Sequence, residues 1–155
     1  MNRPLRKQDR KLDDKESLEI LRNGEYGVLS MCTEDQRGYG IPLNYTFVEN
    51  EIYFHCAMEG AKIDYLRKNN RVSFCVVGNT QLLPGKFSTL YESVIVFGTA
   101  SEIDGEEKRK ALIHLIEKYS SDYIDEGLKY IDRAFDKTNM IKLSIQSFCG
   151  KGRKE

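Results

Sequence analysis

The sequence YGIPLNYTFVENEIYFHCA, residues 39–57, decides the fold. Apolar and polar residues alternate on both sides of Glu49 and Asn50, and asparagine tolerates the left-handed backbone that a two-residue hairpin turn needs. This turn predicts a register with Val48 opposite Glu51. Counting outward pairs apolar residues along one face: Phe47 with Ile52, Tyr45 with Phe54, and Leu43 with Cys56. A slip of one residue would place apolar side chains opposite polar ones.

The other face of the predicted hairpin carries mostly small and polar residues. They are Pro42, Asn44 and Thr46 on the first strand and Tyr53, His55 and Ala57 on the second. Asn44 is therefore predicted to lie directly across from His55. Pro42 removes one backbone donor and Ala57 leaves space beside His55, which would suit a ligand. A solvated face explains the same pattern, so the residues alone leave both interpretations open.

A helix is predicted immediately after the hairpin, in the sequence GAKIDYLRKN that starts at Gly60. Lys62 falls in its first turn, where unpaired N–H groups carry partial positive charge and favour an anion over a cation. The N–H groups of residues 60–62 and the Lys62 ammonium would together suit a phosphate. The simpler alternative is a solvated lysine on a short helix.

Four more segments have the short, β-branched and aromatic character of strands. They are residues 26–33, 71–78, 92–103 and 139–148. Helical spacing of apolar residues predicts helices in residues 13–24, ended by Gly24, and in residues 111–119 and 124–135. Residues 79–91 are predicted to form a long irregular loop around Pro84 and Gly85, a candidate for lining a site. The expected fold is mainly β: a β-barrel with flanking helices, in a single domain over residues 1–155 with a charged tail at residues 1–12.

Composition limits the classes of partner and the compartment. The 155 residues contain 24 Lys and Arg against 24 Asp and Glu, so the excess of positive charge expected of a nucleic-acid-binding protein is absent. No apolar run is long enough to cross a bilayer, and we expect a cytoplasmic protein without membrane contacts. The four cysteines are scattered singly, which favours buried hydrophobic side chains over metal or disulfide sites.

Three motifs occur in a characteristic order. A P-L-N-Y strand begins at Pro42, the turn H-C-A-M-E-G-A-K spans residues 55–62, and the strand Y-E-S-V-I begins at Tyr91. Together with the basic end GKGRK they resemble the nitroimidazole-resistance-like branch of the pyridoxamine-phosphate-oxidase-like flavoproteins. The resemblance extends from about Gly24 to Lys154.

The resemblance implies an FMN-binding split β-barrel that holds FMN in a cleft between the two subunits of a homodimer. It also implies roles for individual residues, and no metal. Beside the isoalloxazine ring, largely through backbone groups, would lie Pro42, Leu43, Asn44 and Tyr45. His55, Cys56 and Ala57 would line the cleft, and Lys62 would bind the phosphate. Further cofactor contacts are expected from Tyr91, Ser93 and Lys151.

Two classes of function are compatible with this resemblance. The first is an NAD(P)H-dependent reductase of small oxidised substrates such as nitroaromatics or quinones, in which no catalytic side chain is identified because the cofactor carries the chemistry. The second is a non-catalytic flavin- or haem-binding protein, with His55 as a haem ligand. The sequence has no nicotinamide-binding glycine motif, which small flavoreductases can lack. A structural dimer with an empty cleft would leave Lys62 and the pairing of Asn44 with His55 unexplained.

Overall fold

The computed structural model describes residues 5–154 and shows a mainly β split barrel with flanking helices. The strands are β1 Gly27–Cys32, β2 Gly38–Leu43, β3 Thr46–Val48, β4 Glu51–Cys56, β5 Arg71–Leu83, β6 Ser88–Ile103 and β7 Asn139–Arg153. The helices are α1 Asp14–Asn23, α2 Ala61–Lys68, α3 Gly105–Tyr119 and α4 Ile124–Ala134. The expected fold class is thus confirmed.

The strands form one antiparallel sheet in the order β2-β1-β5-β6-β7-β4-β3. Its two end strands, β2 and β3, are consecutive in the chain and separated only by Asn44 and Tyr45. These two residues therefore carry the backbone from one edge of the sheet to the other, and we call them the seam. Residues 39–48, predicted as one strand, are divided here into two.

The predicted hairpin register is confirmed for three residue pairs. Val48 lies opposite Glu51, Phe47 opposite Ile52, and Thr46 opposite Tyr53. The ladder ends there, so the prediction that Asn44 pairs with His55 is wrong. On its other edge β4 pairs with β7, where His55 lies opposite Met140.

The segment predicted as a long loop, residues 79–91, is mostly β-hairpin. β5 and β6 continue through it, with Thr80 opposite Tyr91 and Leu83 opposite Ser88, and only Pro84–Lys86 forms a 3₁₀ turn at the tip. The irregularity is confined to a register shift between Val77 and Thr80. This segment is therefore an extension of the sheet, formed by the hairpin of β5 and β6.

A β-bulge in β7 explains why the core-facing residues are odd-numbered before it and even-numbered after it. Ile141, Leu143 and Ile145 face the barrel, and after the bulge at Gln146 it is Phe148 that packs on the core. On β6 the bulge faces Gly98, where an added Cβ would lie 2.2 Å from the Ser144 carbonyl oxygen. Only glycine permits this close approach of the two longest strands.

The interior of the barrel and the layer under α3 and α4 form two apolar clusters. In the first, Phe54 and Phe74 stack with ring centroids 6.5 Å apart, and α1 and α2 contribute Ile20, Leu21, Ile63 and Leu66. The second packs Ala111, Leu112, Leu115 and Ile131 on Met140 of β7. Helix α1 begins with a capping box, in which Asp13 accepts from the Glu16 N–H at 2.8 Å and its own N–H donates to the Glu16 carboxylate.

The N-terminal segment is attached to the barrel at its end. Of the predicted charged tail, residues 1–4 lie outside the described residues, and Gln8–Arg10 form a 3₁₀ turn. Leu12 is buried, its N–H donates to the Gly150 carbonyl at 3.2 Å, and Lys11 forms an isolated bridge with Lys151. We call residues 8–12 the N-terminal arm.

The seam is held by Tyr45 and Tyr119. The Tyr45 side chain is fully buried, and its hydroxyl donates to the Leu21 carbonyl of α1 at 2.6 Å. The Tyr45 N–H donates to the Tyr119 hydroxyl at 2.9 Å. That hydroxyl in turn lies 2.6 Å from the Glu25 carbonyl and 2.9 Å from the Tyr45 carbonyl, so its one proton serves two acceptors.

We expect Tyr119→Phe to destabilise the protein by about 1–3 kcal/mol, because it leaves the Tyr45 N–H without its partner at a buried site. Urea denaturation should show a lower midpoint with an unchanged slope. The control is Tyr130→Phe, which removes a hydroxyl from a side chain that is 62% exposed on α4. Equal midpoints for the two variants would show that Tyr119 does not hold the seam.

Candidate functional site

The start of helix α2 is open to a ligand. Gly60 precedes it with a φ of 126°, a conformation that glycine adopts without strain, and an added Cβ there would meet no atom within 4 Å. No side chain caps the N–H groups of this helix start. The backbone donors that an anion would need are therefore not taken by the protein's own side chains.

Lys62 lies in the first turn of this helix without a counter-ion. It is half-buried and forms no ion pair with any carboxylate of residues 5–154. The other two cations of α2 are paired, Arg67 with Glu102 at 2.7 Å and Lys68 with Glu34. Lys62 is thus the cation of α2 left free to meet an anion.

The charge of Lys62 acts on the pKa values of His55 and Cys56. Desolvation, and then the charge of Lys62, lower the pKa of His55. Desolvation raises the pKa of the Cys56 thiol, against the smaller opposing effect of Lys62. The imidazole of His55 is therefore neutral near pH 7, and Cys56 remains a protonated thiol.

Strand alternation divides the predicted cleft residues on β4. His55 and Ala57 are exposed, whereas Cys56 points into the barrel core. Cys56 can therefore contribute only its backbone to a ligand on the outer face. The four cysteines are all free thiols, Cys56 buried and the other three half-buried.

The predicted ring-binding strand is divided in the same way. Pro42 and Asn44 are exposed, and Leu43 packs partly against the core. The Tyr45 ring is fully buried, and its N–H and carbonyl are both bonded to Tyr119, so within the single chain these backbone groups already have partners. The seam uses the backbone groups that the resemblance had assigned to the isoalloxazine ring.

The outer face of β2 is flat. Its outward residues are Gly38, Gly40 and Pro42, and all three are exposed. A Cβ added at Gly38 would meet no atom within 4 Å, and one at Gly40 would make only ordinary contacts, with Val28 at 3.5 Å and Ser30 at 3.8 Å. This edge strand, with proline at a position where no ladder donor is required, leaves space for a planar group against the sheet.

Tyr91, Ser93 and Lys151 form a separate group on β6 and β7. Ser93 lies opposite Lys151, and its hydroxyl donates to the Lys151 carbonyl at 3.5 Å. The Lys151 Nζ lies 5.9 Å from the centroid of the Tyr91 ring. No hydrogen bond or ion pair within residues 5–154 connects this group to Lys62.

The sheet exposes an apolar row on its outer face. Across five strands the registers align Pro42, Val28, Cys75, Ile95 and Cys149. Ile95 is 37% exposed, and Val77 in the adjacent row is 54% exposed. The row runs from the flat edge at β2 to β7, the strand that carries Lys151. The predicted residues on β2 and those around Lys151 therefore border one apolar surface.

Two cavities of the single chain lie away from these residues. One of about 710 Å³ lies between α1 and the turn of β5, bordered by Glu16, Asn23, Tyr26 and Glu92. Another of about 490 Å³ lies beyond the end of α2, near Asn70 and Ser101. Neither includes a residue that the sequence assigned to the cofactor.

Other classes of site find no support in the described part of the chain. Within residues 5–154 no three His, Cys, Asp or Glu side chains come together as a metal-ion site. The same residues form no helix with the length and apolar character that crossing a membrane requires.

Sequence reasoning missed one residue near Tyr91 and Lys151. Arg10 of the N-terminal arm acts with Lys151 to lower the pKa of the Tyr91 phenol, against the opposing effect of desolvation. Nothing in the sequence pairs residue 10 with residue 91, because the contact depends on the arm lying along β7.

Comparisons with known proteins identify the family and the fold. The sequence matches the pyridoxamine 5'-phosphate oxidase family over residues 13–151. Comparison with curated proteins gives no significant match.

Solved structures share the architecture at low sequence identity. A candidate 5-nitroimidazole antibiotic resistance protein from Bacteroides thetaiotaomicron has 23% identity and a TM-score of 0.75, with 92% of this chain and 86% of that chain covered. An FAD and heme binding protein from Mycobacterium smegmatis has 17% identity and a TM-score of 0.82, covering 94% and 74%. An FAD-binding protein from Mesorhizobium loti has 24% identity and a TM-score of 0.64, covering 94% and 98%.

Proposed function

Because the chain belongs to the pyridoxamine 5'-phosphate oxidase family, we propose that it is an FMN-binding flavoprotein that reduces small oxidised substrates with electrons from NADH or NADPH. The observation that carries the proposal is the unpaired Lys62 at the uncapped start of α2. Three named structural relatives support it, since two bind FAD and one is a candidate nitroimidazole resistance protein.

The residues at α2 fit the phosphate of a flavin nucleotide. The helix start supplies backbone N–H donors and a positive dipole end, and Lys62 supplies a full charge beside them. Gly60 leaves the approach to these donors open. An anion bound here would also remove the cost of placing a cation at a helix N-terminus.

The flat face of β2 fits a planar ring. Exposed backbone at Gly38, Gly40 and Pro42 offers van der Waals contact, with Asn44 at the end of the strand as an amide donor and acceptor. His55 and Ala57 lie on the exposed face of β4, near Lys62. Tyr45 supports the site indirectly, by fixing the seam from which Asn44 projects.

We further propose that the protein is a homodimer whose cofactor cleft lies between subunits. The apolar row around Ile95 would otherwise remain in water, and large contiguous apolar patches on soluble proteins mark interfaces. The hairpin formed by β5 and β6 adds two exposed apolar residues to this surface, Leu82 and Phe87, and Phe87 is 98% exposed. A second copy would also explain why Lys62 and the group around Lys151 are not joined within one chain.

The chemistry would come from the cofactor. When bound, the flavin would accept a hydride from a nicotinamide nucleotide and pass electrons to an oxidised substrate such as a nitroaromatic or a quinone. The chain itself would bind the phosphate at Lys62, orient the ring on β2, and offer His55 as a neutral hydrogen-bonding group. Since no catalytic acid or base is required, the absence of an obvious one in the sequence is consistent with this role.

A second candidate is a protein that binds flavin or haem without turnover. The exposed His55 favours it, because its lowered pKa keeps the imidazole neutral, as metal ligation requires. The named Mycobacterium smegmatis relative binds both FAD and haem.

Lys62→Ala should weaken FMN binding by roughly tenfold to a hundredfold, since a charge-assisted contact is worth about 1.5–3 kcal/mol. Riboflavin has the same ring without the phosphate, so its affinity should hardly change. The matched control is Lys68→Ala on the same helix, which removes a cation already paired with Glu34. Fluorescence titration of each of the three proteins with both flavins measures the six affinities. Equal FMN affinity in wild type and Lys62→Ala would place the phosphate elsewhere.

Addition of NADH or NADPH without oxygen should bleach the flavin absorbance of the FMN-loaded protein, and a nitroaromatic or quinone should restore it. A stable oxidised spectrum would rule out the reductase. Titration with haem then tests the second candidate: a Soret band that is lost in His55→Gln supports it, and the absence of a Soret band contradicts haem ligation by His55.

Ile95→Glu should convert a wild-type dimer into a monomer, because it places a charge at an exposed position of the apolar row. FMN affinity should fall with it if the cleft needs both subunits. Sedimentation velocity at micromolar concentration measures the mass, and Tyr130→Glu, on the exposed surface of α4, is the control. A wild-type protein that sediments as a monomer contradicts the homodimer.

A further inference from the structure

The N-terminal arm brings positive charge onto the end of β7. Leu12 anchors the arm by burial and by its bond to Gly150, and Lys11 bridges Lys151. Arg10 lies directly before this bridge and is half-buried. The family match begins at residue 13, so the arm lies outside the shared part of the chain.

The cations gathered here lack counter-ions. Arg10, Lys11, Lys151 and Arg153 form no ion pair with a carboxylate anywhere between residues 5 and 154. We call these four residues with Tyr91 the basic corner. Acidic groups are present nearby but do not neutralise it: Glu16 is bonded to Lys154, and Asp9 lies on the same 3₁₀ turn as Arg10.

Tyr91 is the centre of this group. Desolvation would raise the pKa of its phenol, but hydrogen bonds from Arg10 and Lys151, with their positive charges, lower it. Arg153 lies opposite Tyr91 in the ladder and donates to the Ser88 hydroxyl. Two cations thus compete for one neutral oxygen, an arrangement in which an added anion would be bound more strongly than the phenol.

Space for such an anion exists beside the cluster. A cavity of about 490 Å³ is lined by Arg10, Lys11, Arg153 and Lys154, with Asp9 and Glu16 as its acidic members. Four cations against two carboxylates leave a positive balance, and one of those carboxylates is already occupied by Lys154.

We propose that the basic corner is a binding site for the phosphate groups of a dinucleotide, separate from the site at Lys62. The guanidinium groups of Arg10 and Arg153 line the cavity and present paired N–H donors that match phosphate oxygens, and the Lys11 ammonium can donate to a remaining one. Lys151 and Tyr91 are not part of this lining, and Lys151 adds its charge from the bridge with Lys11. The multiple charge of a pyrophosphate would relieve the repulsion among the four cations, which a single carboxylate would do less well. The site would supply the phosphate contacts that a glycine-rich nucleotide-binding motif otherwise supplies, and the sequence has no such motif.

Two sources would present this chemistry, and both rest on the proposed function. One is the nicotinamide nucleotide that donates electrons, and the other is FAD, whose pyrophosphate would lie here only if the flavin phosphate did not occupy the site at Lys62. The phosphate site itself does not depend on either, because it can be probed with inorganic pyrophosphate on the full chain without any flavin.

The test is calorimetric titration of the full-length protein with pyrophosphate at low ionic strength. Wild type should bind it, and Arg10→Gln and Lys151→Gln should each weaken binding about tenfold or more, since the first removes a charge-assisted contact and the second a nearby positive charge. The charge-matched control is Lys110→Gln, which removes an exposed cation of α3 that is paired with Glu106. Unchanged affinity in Arg10→Gln, with thermal unfolding like that of wild type, would overturn the proposal.

A second readout reports on Tyr91 directly. NMR titration of ¹³C-labelled tyrosine, with Tyr91→Phe to assign the signal, should show the pKa of Tyr91 rising when pyrophosphate is added, because the anion neutralises Arg10 and Lys151. A pKa that pyrophosphate leaves unchanged would also overturn the proposal, even if the anion binds elsewhere on the protein.

The affinities of Arg10→Gln for the natural ligands separate the two sources. Loss of FAD affinity with FMN affinity retained would identify FAD, and a raised KM for NADPH with both flavin affinities retained would identify the electron donor. Failure of the Lys62 experiment would not affect the pyrophosphate result, because Lys62 and Arg10 belong to different groups.

Discussion

The structure depends on how two residues cross from one edge of the sheet to the other. β2 and β3 are the two ends of the strand order yet adjacent in the chain, so the backbone at Asn44 and Tyr45 leaves one ladder before it joins another. Buried backbone groups outside a ladder are costly unless other groups bond them. The Tyr119 hydroxyl bonds both the N–H and the carbonyl of Tyr45, and Tyr45 bonds α1 through Leu21. Helices α1 and α3 are thus positioned by the requirement to close the barrel.

Much of the fold could be predicted because strand periodicity is strict. The alternation around Glu49 and Asn50 determined the register from Thr46 to Tyr53, since a shift of one residue would have exposed Phe47 and Ile52. The same alternation concealed the seam. Leu43, Tyr45 and Phe47 are all apolar at a spacing of two, so the pattern continues through a point where the backbone pairing does not. The pairing of Asn44 with His55 failed for this reason, and only the three-dimensional closure of the sheet reveals it.

The candidate site was predicted less completely, again because of alternation. A motif read as a continuous string, such as P-L-N-Y or H-C-A, places its side chains on both faces of a strand. In this structure Pro42, Asn44, His55 and Ala57 are exposed, whereas Tyr45 and Cys56 belong to the core. Lys62 was predictable because its location follows from local chemistry, a cation at a helix start. Arg10 was not, because its contact with Tyr91 depends on packing between the two ends of the chain.

Net charge proved a weaker guide than the distribution of charge. A balance of 24 cations and 24 anions argues against an extended anionic partner such as a nucleic acid. It says nothing about a small anion, because a few unpaired cations in one place suffice for a phosphate. The carboxylates pair mainly with cations elsewhere, as Glu102 does with Arg67 and Asp132 with Arg109. Lys62 at the start of α2 and the cations at the end of β7 are among those that no carboxylate of residues 5–154 pairs. A net charge of zero therefore does not exclude the two phosphate sites proposed at these places.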